Sequence, residues 1–365
     1  MSIQHLVPPW LASLVPYQPG KPIEEVEREY GIPNSIKIAS NENPLGPSPK
    51  AVAAIQAALG DLHRYPDGGG FALKKKLAAK LGVAPAEVFI GNGSNEVLEL
   101  AARAFLRPGE EAVMSDQAFV VYASIVQATA GIPRAAPLRD FTHDLDAILA
   151  AVTPKTRLVF LANPNNPTGT IYRRAAFERF LKNIRKDVVV IADEAYAEYV
   201  VDPEWPDSLR YKAPGRLLVT CRTFSKIYGL AGLRIGYAVA PAEIVEVLDR
   251  IRQPFNVNSL AQIGALAALE DAEHVARSAR HARAAIEQLQ REIRGPGVRV
   301  YPSLANFVLI DCGRPSTPIY DQLLRRGVIV RPLAAWGLPD HLRVSIAREA
   351  DMPRVIAALN ETLAA

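Results

Sequence analysis

Lys226 stands in the stretch Thr223-Phe-Ser-Lys226-Ile-Tyr-Gly-Leu-Ala-Gly-Leu-Arg234, among small residues and just after a predicted strand over Arg216 to Arg222. Two hydroxyls, Thr223 and Ser225, precede the lysine, and a glycine-flanked turn delivers Arg234. A lysine that attacks an aldehyde needs a packed stem and a depressed pKa. A phosphate beside it needs hydroxyls, backbone N–H groups and an arginine fork. This stretch offers both. A lone Ser-Lys pair, however, reads more simply as an exposed loop lysine, so the reading depends on the rest of the chain.

Three more loops follow predicted strands, and in parallel sheets ligands bind at the carboxyl ends of strands. Gly91-Asn-Gly-Ser-Asn-Glu96 opens a helix. Ser94 and Asn95 either cradle a phosphate there or simply cap the helix. Asn163-Pro-Asn-Asn-Pro-Thr-Gly169 is a stiff turn that holds Asn166 in one place, more than a plain connector needs. In Ala192-Asp-Glu-Ala-Tyr196, Asp193 leaves an apolar run and is expected to be partly buried. A buried carboxylate needs a partner, and a pyridinium nitrogen would supply one. Tyr196, three residues on, can point at the same ligand.

The elements that position these loops alternate. Val88 to Gly91, Glu111 to Ser115, Arg157 to Ala162, Val188 to Ala192, Leu217 to Thr220 and Ile235 to Ala240 read as strands, with helices such as Asn95 to Phe105 and Tyr172 to Arg185 between them. The continuous apolar runs predict strands buried on both faces, and the alternation predicts a doubly wound, mostly parallel α/β sheet. After Pro254 the texture changes to two long helices, then short strands at Val298 to Tyr301, Asn306 to Asp311, Val328 to Arg331 and Leu342 to Ala347. This predicts a proline-rich arm over 1–40 packing with the small domain, a large domain over 41–254 and a smaller α+β domain over 255–365.

Composition sets the class. The 365 residues are 49% hydrophobic and 22% charged, which suits a globular enzyme with a large core. The net charge of +4 is scattered and does not make a nucleic-acid footprint. Two cysteines, Cys221 and Cys312, fit a reducing cytoplasm rather than a disulfide framework. Neither a signal peptide nor an apolar run long enough to cross a bilayer is evident. No metal site is expected.

Taken in order, these motifs resemble the pyridoxal-phosphate enzymes of the aspartate aminotransferase superfamily, fold type I, and more narrowly the histidinol-phosphate aminotransferases. Further matches are Leu14-Val-Pro-Tyr17-Gln-Pro-Gly, Ser40-Asn-Glu-Asn-Pro, Arg64-Tyr-Pro, Arg252-Gln-Pro-Phe-Asn-Val-Asn, Ala305-Asn-Phe and Leu342-Arg343-Val-Ser. The resemblance implies a seven-stranded sheet and pyridoxal 5'-phosphate bound covalently to Lys226, which also shuttles a proton. It implies that Asp193 keeps the pyridine nitrogen protonated, making the ring an electron sink. Asn166 and Tyr196 would bind the ring's 3-oxygen. Ser94, Asn95, Thr223, Ser225 and Arg234 would grip the phosphate. Phe119 would stack on the ring, where relatives often have Tyr. Asn95 stands where relatives often have Asp, with no expected change of function.

For the substrate, the resemblance implies Arg343 and Arg331 as anion-binding arginines, with Tyr17 and Tyr65 lining the substrate phosphate site. Tyr65 would come from the neighbouring subunit of a homodimer. The implied reaction converts histidinol phosphate and 2-oxoglutarate to imidazole-acetol phosphate and glutamate. The alternatives are an aromatic amino-acid aminotransferase, a related decarboxylase, and a cofactor-sensing regulator. The intact lysine speaks against the last.

Overall fold

The computed structural model describes residues 3–364. Its central sheet contains β1 (Val88–Gly91), β2 (Glu111–Ser115), β3 (Ile132–Ala136), β4 (Thr156–Ala162), β5 (Val189–Asp193), β6 (Leu218–Thr223) and β7 (Gly236–Val239). The spatial order is β1-β7-β6-β5-β4-β2-β3. β7 runs antiparallel to both neighbours. The pairings from β6 through β3 are all parallel. Val159, Ile191 and Val219 in the middle strands are fully buried. Separate apolar clusters cover the two faces, one around Leu98, Tyr122 and Phe160, the other around Ile148, Phe177 and Val190. This is the doubly wound, seven-stranded α/β sheet expected above.

The sequence reading misses β3. Its first four residues are exposed, and it carries Pro133 and Arg134, so no apolar run marks it. A proline is tolerated there because β3 is an edge strand and Pro133 has no N–H to leave unpaired.

A second sheet is antiparallel: β8 (Arg299–Val300), β9 (Phe307–Asp311), β10 (Arg331–Leu333) and β11 (Leu338–Ser345), in the order β8-β9-β11-β10. The single strand expected over Val328 to Arg331 is split. Val328 and Ile329 pair in parallel with Ile36 and Lys37 of the N-terminal segment, while Arg331 turns to pair with β11. The last strand also begins earlier than expected, at Leu338. The register slips between Pro332 and Leu333, and the proline lacks the N–H that a regular ladder would use there.

The helix Ser259–Ala268, capped by Asn258, packs on Pro49–Ala58 and Phe71–Leu81. Ala272–Glu292 follows it, capped by the Asp271 carboxylate.

Behind the end of β5 lies a buried ion cluster. Arg222 donates to Glu194 Oε2 from Nε at 3.0 Å and from Nη2 at 2.7 Å, and its Nη2 also donates to Asp207 Oδ1 at 2.8 Å. Ser208 N–H donates to the other Glu194 oxygen at 2.8 Å. Burial pushes the Glu194 carboxyl up, and the Arg222 charge opposes that. The cluster clamps the residue that follows Asp193 to β6. Removing Arg222 leaves the buried Glu194 carboxylate without its cation, whereas Asp207 would still answer Arg222 if Glu194 were lost. Arg222→Ala is therefore expected to cost about 3 kcal/mol or more of stability, read as a lower denaturation midpoint. An unchanged midpoint would show that the cluster does not hold this strand end.

Candidate active site

Strand register builds the site. Ala162 lies beside Asp193, and Asp193 beside Cys221, across three parallel strands. The loops that leave β1, β4, β5 and β6 therefore open on one edge. Because β7 is antiparallel, its first residue, Gly236, sits beside both Gly91 and Thr223, and Arg234 arrives at the same edge.

Here the chain encloses a cavity of about 460 Å³. Its wall includes Tyr17, Ser94, Asn95, Phe119, Asn166, Asp193, Tyr196, Thr223, Ser225, Lys226, Arg234 and Arg343. Every site residue named from the sequence is in this wall except two. Arg331 stands just behind it, its guanidinium carbon 5.2 Å from the Tyr17 ring centre and 5.1 Å from that of Trp336. Tyr65 is 83% exposed, stacks on Phe255 at 4.7 Å and faces a different depression of this chain.

Lys226 Nζ donates to the Ser40 carbonyl at 3.2 Å and lies 5.8 Å from the Tyr196 ring centre. Burial, aided by the Arg343 and Arg234 charges, lowers its pKa to about 8. Asp193 is buried, and burial holds its carboxyl above the usual carboxylate range. Tyr122 O–H donates to Asp193 Oδ2 at 2.7 Å, and Ala195 N–H to Oδ1 at 3.2 Å. The Tyr196 hydroxyl accepts from Asn41 Nδ2 at 2.8 Å, and burial raises its pKa to about 12, so it stays protonated and able to donate.

Asn166 Oδ1 accepts from Arg343 Nη1 at 2.6 Å. The amide's donor end is left for a ligand. Arg343 Nη2 donates to the Ala39 carbonyl at 2.5 Å, and burial lowers the guanidinium's pKa to about 10. Arg331 and Arg343 are direct cross-strand partners on β10 and β11. Their side chains thus share one face, and the Nε–H of each is buried without a partner among the described residues.

The end of the cavity at Ser94 and Arg234 is equally close-packed. The helix Ser94–Phe105 aims its N-terminus at the cavity, which favours an anion. A Cβ on Gly93, at φ +78°, would lie 2.6 Å from Arg234 Nη2, and one on Gly236 would lie 2.5 Å from Ser94 N. Only glycines let the guanidinium and the helix end approach together. A hydroxyl pair, a helix N-terminus and an arginine at one end, a buried carboxylate at the other and an amine between fit pyridoxal phosphate.

Among the wall residues without a role in the sequence reading are Asn41, Tyr122 and Trp336. Asn41 lies in Ser40-Asn-Glu-Asn-Pro and Tyr122 at the end of Gln117-Ala-Phe-Val-Val-Tyr, so the stretches were visible but the contacts were not. An aromatic between two candidate arginines was the available signal for Trp336.

An amine attacks an aldehyde only in its neutral form, so Lys226 should become reactive as pH rises through about 8. An exposed lysine needs a pH near its ordinary pKa of about 10.4. Reductive alkylation of the cofactor-free protein with a small aldehyde, followed by peptide mapping across pH, should find Lys226 modified first. Labelling that follows the ordinary lysine profile would show that the cavity does not tune this amine.

The family profile described as aminotransferase class I and II matches residues 33–359. Histidinol-phosphate aminotransferase 2 of Methylococcus capsulatus is 49% identical over 369 aligned positions, covering 100% of each chain. The protein of the same name from Pseudomonas aeruginosa is 50% identical, with 98% of each chain covered. Among solved structures, a histidinol-phosphate aminotransferase from Sinorhizobium meliloti in complex with pyridoxal-5'-phosphate superposes with a TM-score of 0.89 at 31% identity, covering 97% of this chain and 96% of that one. Aspartate aminotransferase from Thermus thermophilus shares the fold, with a TM-score of 0.83 at 21% identity over 98% of this chain and 99% of that one. On this coverage and identity, the chain belongs to the class I and II aminotransferase family.

Proposed function

We propose that this chain is a pyridoxal-phosphate-dependent histidinol-phosphate aminotransferase that uses 2-oxoglutarate as amino acceptor. The observation that carries the substrate assignment is the opposition of Arg331 and Arg343 across β10 and β11. Like charges directly opposite one another destabilise a sheet. Two buried guanidinium groups with unpaired Nε–H groups call for an anion that takes several donors at once. A phosphate ester, with about −1.5 to −2 charge, gains more from two arginines than one carboxylate does. Near-identical names among full-length relatives support the same reading.

In this reading the bound cofactor supplies an electron sink for the carbanion formed at the substrate's Cα. The protein does the rest. Asp193 would offer its carboxylate to the ring nitrogen. Asn166 and Tyr196 would donate to the ring's 3-oxygen. Ser94, Asn95, Thr223, Ser225 and Arg234 would hold the phosphate, and Phe119 would pack on the ring face. Lys226 would anchor the cofactor and serve as the base that moves the proton at the substrate's Cα. Its low pKa suits that role near neutral pH. Donor and acceptor share one site in turn, which gives ping-pong kinetics.

Arg331 Nη2 donates to the Gln18 carbonyl at 2.6 Å, and Tyr17 lies on its guanidinium face. The arm over 1–40 thus closes the substrate end, between a cofactor domain over 41–254 and a smaller domain over 255–365. We place the protein in the cytoplasm, on the strength of its two buried free cysteines. No helix among the described residues is long and apolar enough to cross a membrane.

An aromatic amino-acid aminotransferase is the second reading, favoured by the rings of Tyr17, Phe119 and Trp336 in and around the wall. Arg331→Ala separates the two. It should raise KM for histidinol phosphate by about tenfold or more, the scale of a lost charge-assisted hydrogen bond, with a smaller effect on phenylalanine. Arg343→Ala should damage all substrates. Faster turnover of aromatic amino acids by the wild type, with discrimination unchanged in Arg331→Ala, would replace the first reading with the second.

The homodimer reading rests on Tyr65. It is exposed, as are Phe255, on which it stacks, and its near neighbours in sequence Leu62 and Phe71, and it is not in the wall of its own chain's cavity. Mixing Lys226→Ala and Tyr65→Ala proteins under subunit exchange should restore activity, because each hybrid dimer holds one intact site. No recovery, with exchange verified, would place Tyr65 outside the partner's site.

A further inference from the structure

Asp193 is a buried carboxylate of the cavity wall, and no cation is hydrogen-bonded to it among the described residues. Its only side-chain donor there is Tyr122, at 2.7 Å to Oδ2. Tyr122 belongs to the helix Val121–Ala128 and is fully buried. Its ring stacks on Phe160 with centres 4.9 Å apart at 12°, and meets Phe119 edge-on at 5.6 Å and 88°. Both rings fix the phenol plane, so the hydroxyl has little freedom to turn from Asp193. The other carboxylate oxygen takes the Ala195 N–H at 3.2 Å.

We infer that Tyr122 is a positioning residue: its neutral hydroxyl holds Asp193 ionised and aimed at the cofactor ring, while its own ring buttresses Phe119. The inference rests on the pyridoxal-phosphate reading above. The groups facing Asp193 are Tyr122, Lys226, Tyr196, Tyr172 and Cys221, the last its register partner on β6. The neighbouring Glu194 turns away to Arg222. Burial drives Asp193 toward its neutral form, and the Tyr122 hydrogen bond opposes that most among its neighbours. A phenol suits the task because burial and Asp193 hold its own ionisation well above the working range, so it donates at every relevant pH. A histidine in its place would change charge near neutrality.

The test measures pyridoxal-phosphate affinity by fluorescence titration of the cofactor-free full chain, not turnover. Four proteins are compared: wild type, Tyr122→Phe, Asp193→Asn and the double variant. Tyr122→Phe keeps both ring contacts and removes only the hydroxyl. It should weaken binding by about tenfold in the wild-type background, the scale of a hydrogen bond to a charged group. In the Asp193→Asn background the loss should be under about twofold, because the charge through which Tyr122 acts is gone. Equal losses in both backgrounds would mean that Tyr122 only packs, and would overturn the proposal.

The pH profile gives a second readout. Without the hydroxyl, Asp193 protonates at higher pH, so the affinity of Tyr122→Phe should begin to fall at a higher pH on acidification than that of wild type. Coincident profiles would also overturn the proposal. Should Tyr122→Phe not fold, 3-fluorotyrosine at position 122 keeps the volume and strengthens the donor, and should move the acid limb to lower pH. An unmoved limb overturns the proposal in that arm. If wild type binds pyridoxal phosphate and the variants behave alike, only the role of Tyr122 falls. If wild type does not bind it, the cofactor reading falls as well.

Discussion

Ala162, Asp193 and Cys221 lie side by side across three parallel strands, and that register decides where every polar group of the site can stand. A parallel sheet buried on both faces leaves only its edges for polar chemistry, since a charge inside it would lose its water. The carboxyl-end edge gathers four loops from strands far apart in the chain. The antiparallel β7 completes it by delivering Arg234 from the opposite direction, against glycines that leave it room.

Two electrostatic arrangements differ in kind at that edge. Around Glu194, Arg222 and Asp207 the charges are paired by hydrogen bonds, with one guanidinium holding the enclosed Glu194 and the partly exposed Asp207, so they serve the scaffold. Around the cavity, Lys226, Arg234, Arg343 and Asp193 form no ion pair among the described residues. Lys226 is pushed toward its neutral form by burial and by two arginines. Arg331 and Arg343 face one another with no carboxylate hydrogen-bonded to either among the described residues. Unmatched groups at a cavity wall weaken the fold unless something binds there, and this separates a site from a salt-bridge network. Asn166 stands in the same wall, and its side-chain carbonyl holds Arg343.

The amino-acid order alone determined the doubly wound class, most strand and helix positions, and the loops that carry Ser94, Asn166, Asp193 and Lys226. Those features are local. Apolar runs of strand length, glycine and proline turns, and polar residues at run ends obey short-range rules that a sequence exposes directly. The resemblance of motif order added the cofactor and the reaction. Tertiary structure alone decided the rest. The edge strand Ile132–Ala136 has no apolar signature, because its stability comes from pairing with β2. The split of Val328 to Leu333 between two sheets depends on Ile36 and Lys37, nearly three hundred residues earlier in the chain. Tyr122 and Asp193 are 71 residues apart, and nothing in either neighbourhood announces their hydrogen bond. Arg331 is legible as a cation near the end of the chain, but its place behind Tyr17 and Trp336, opposite Arg343, follows from strand pairing. Local propensity specifies which elements form. Which side chains meet is set by long-range packing, whose energies no single stretch of sequence contains.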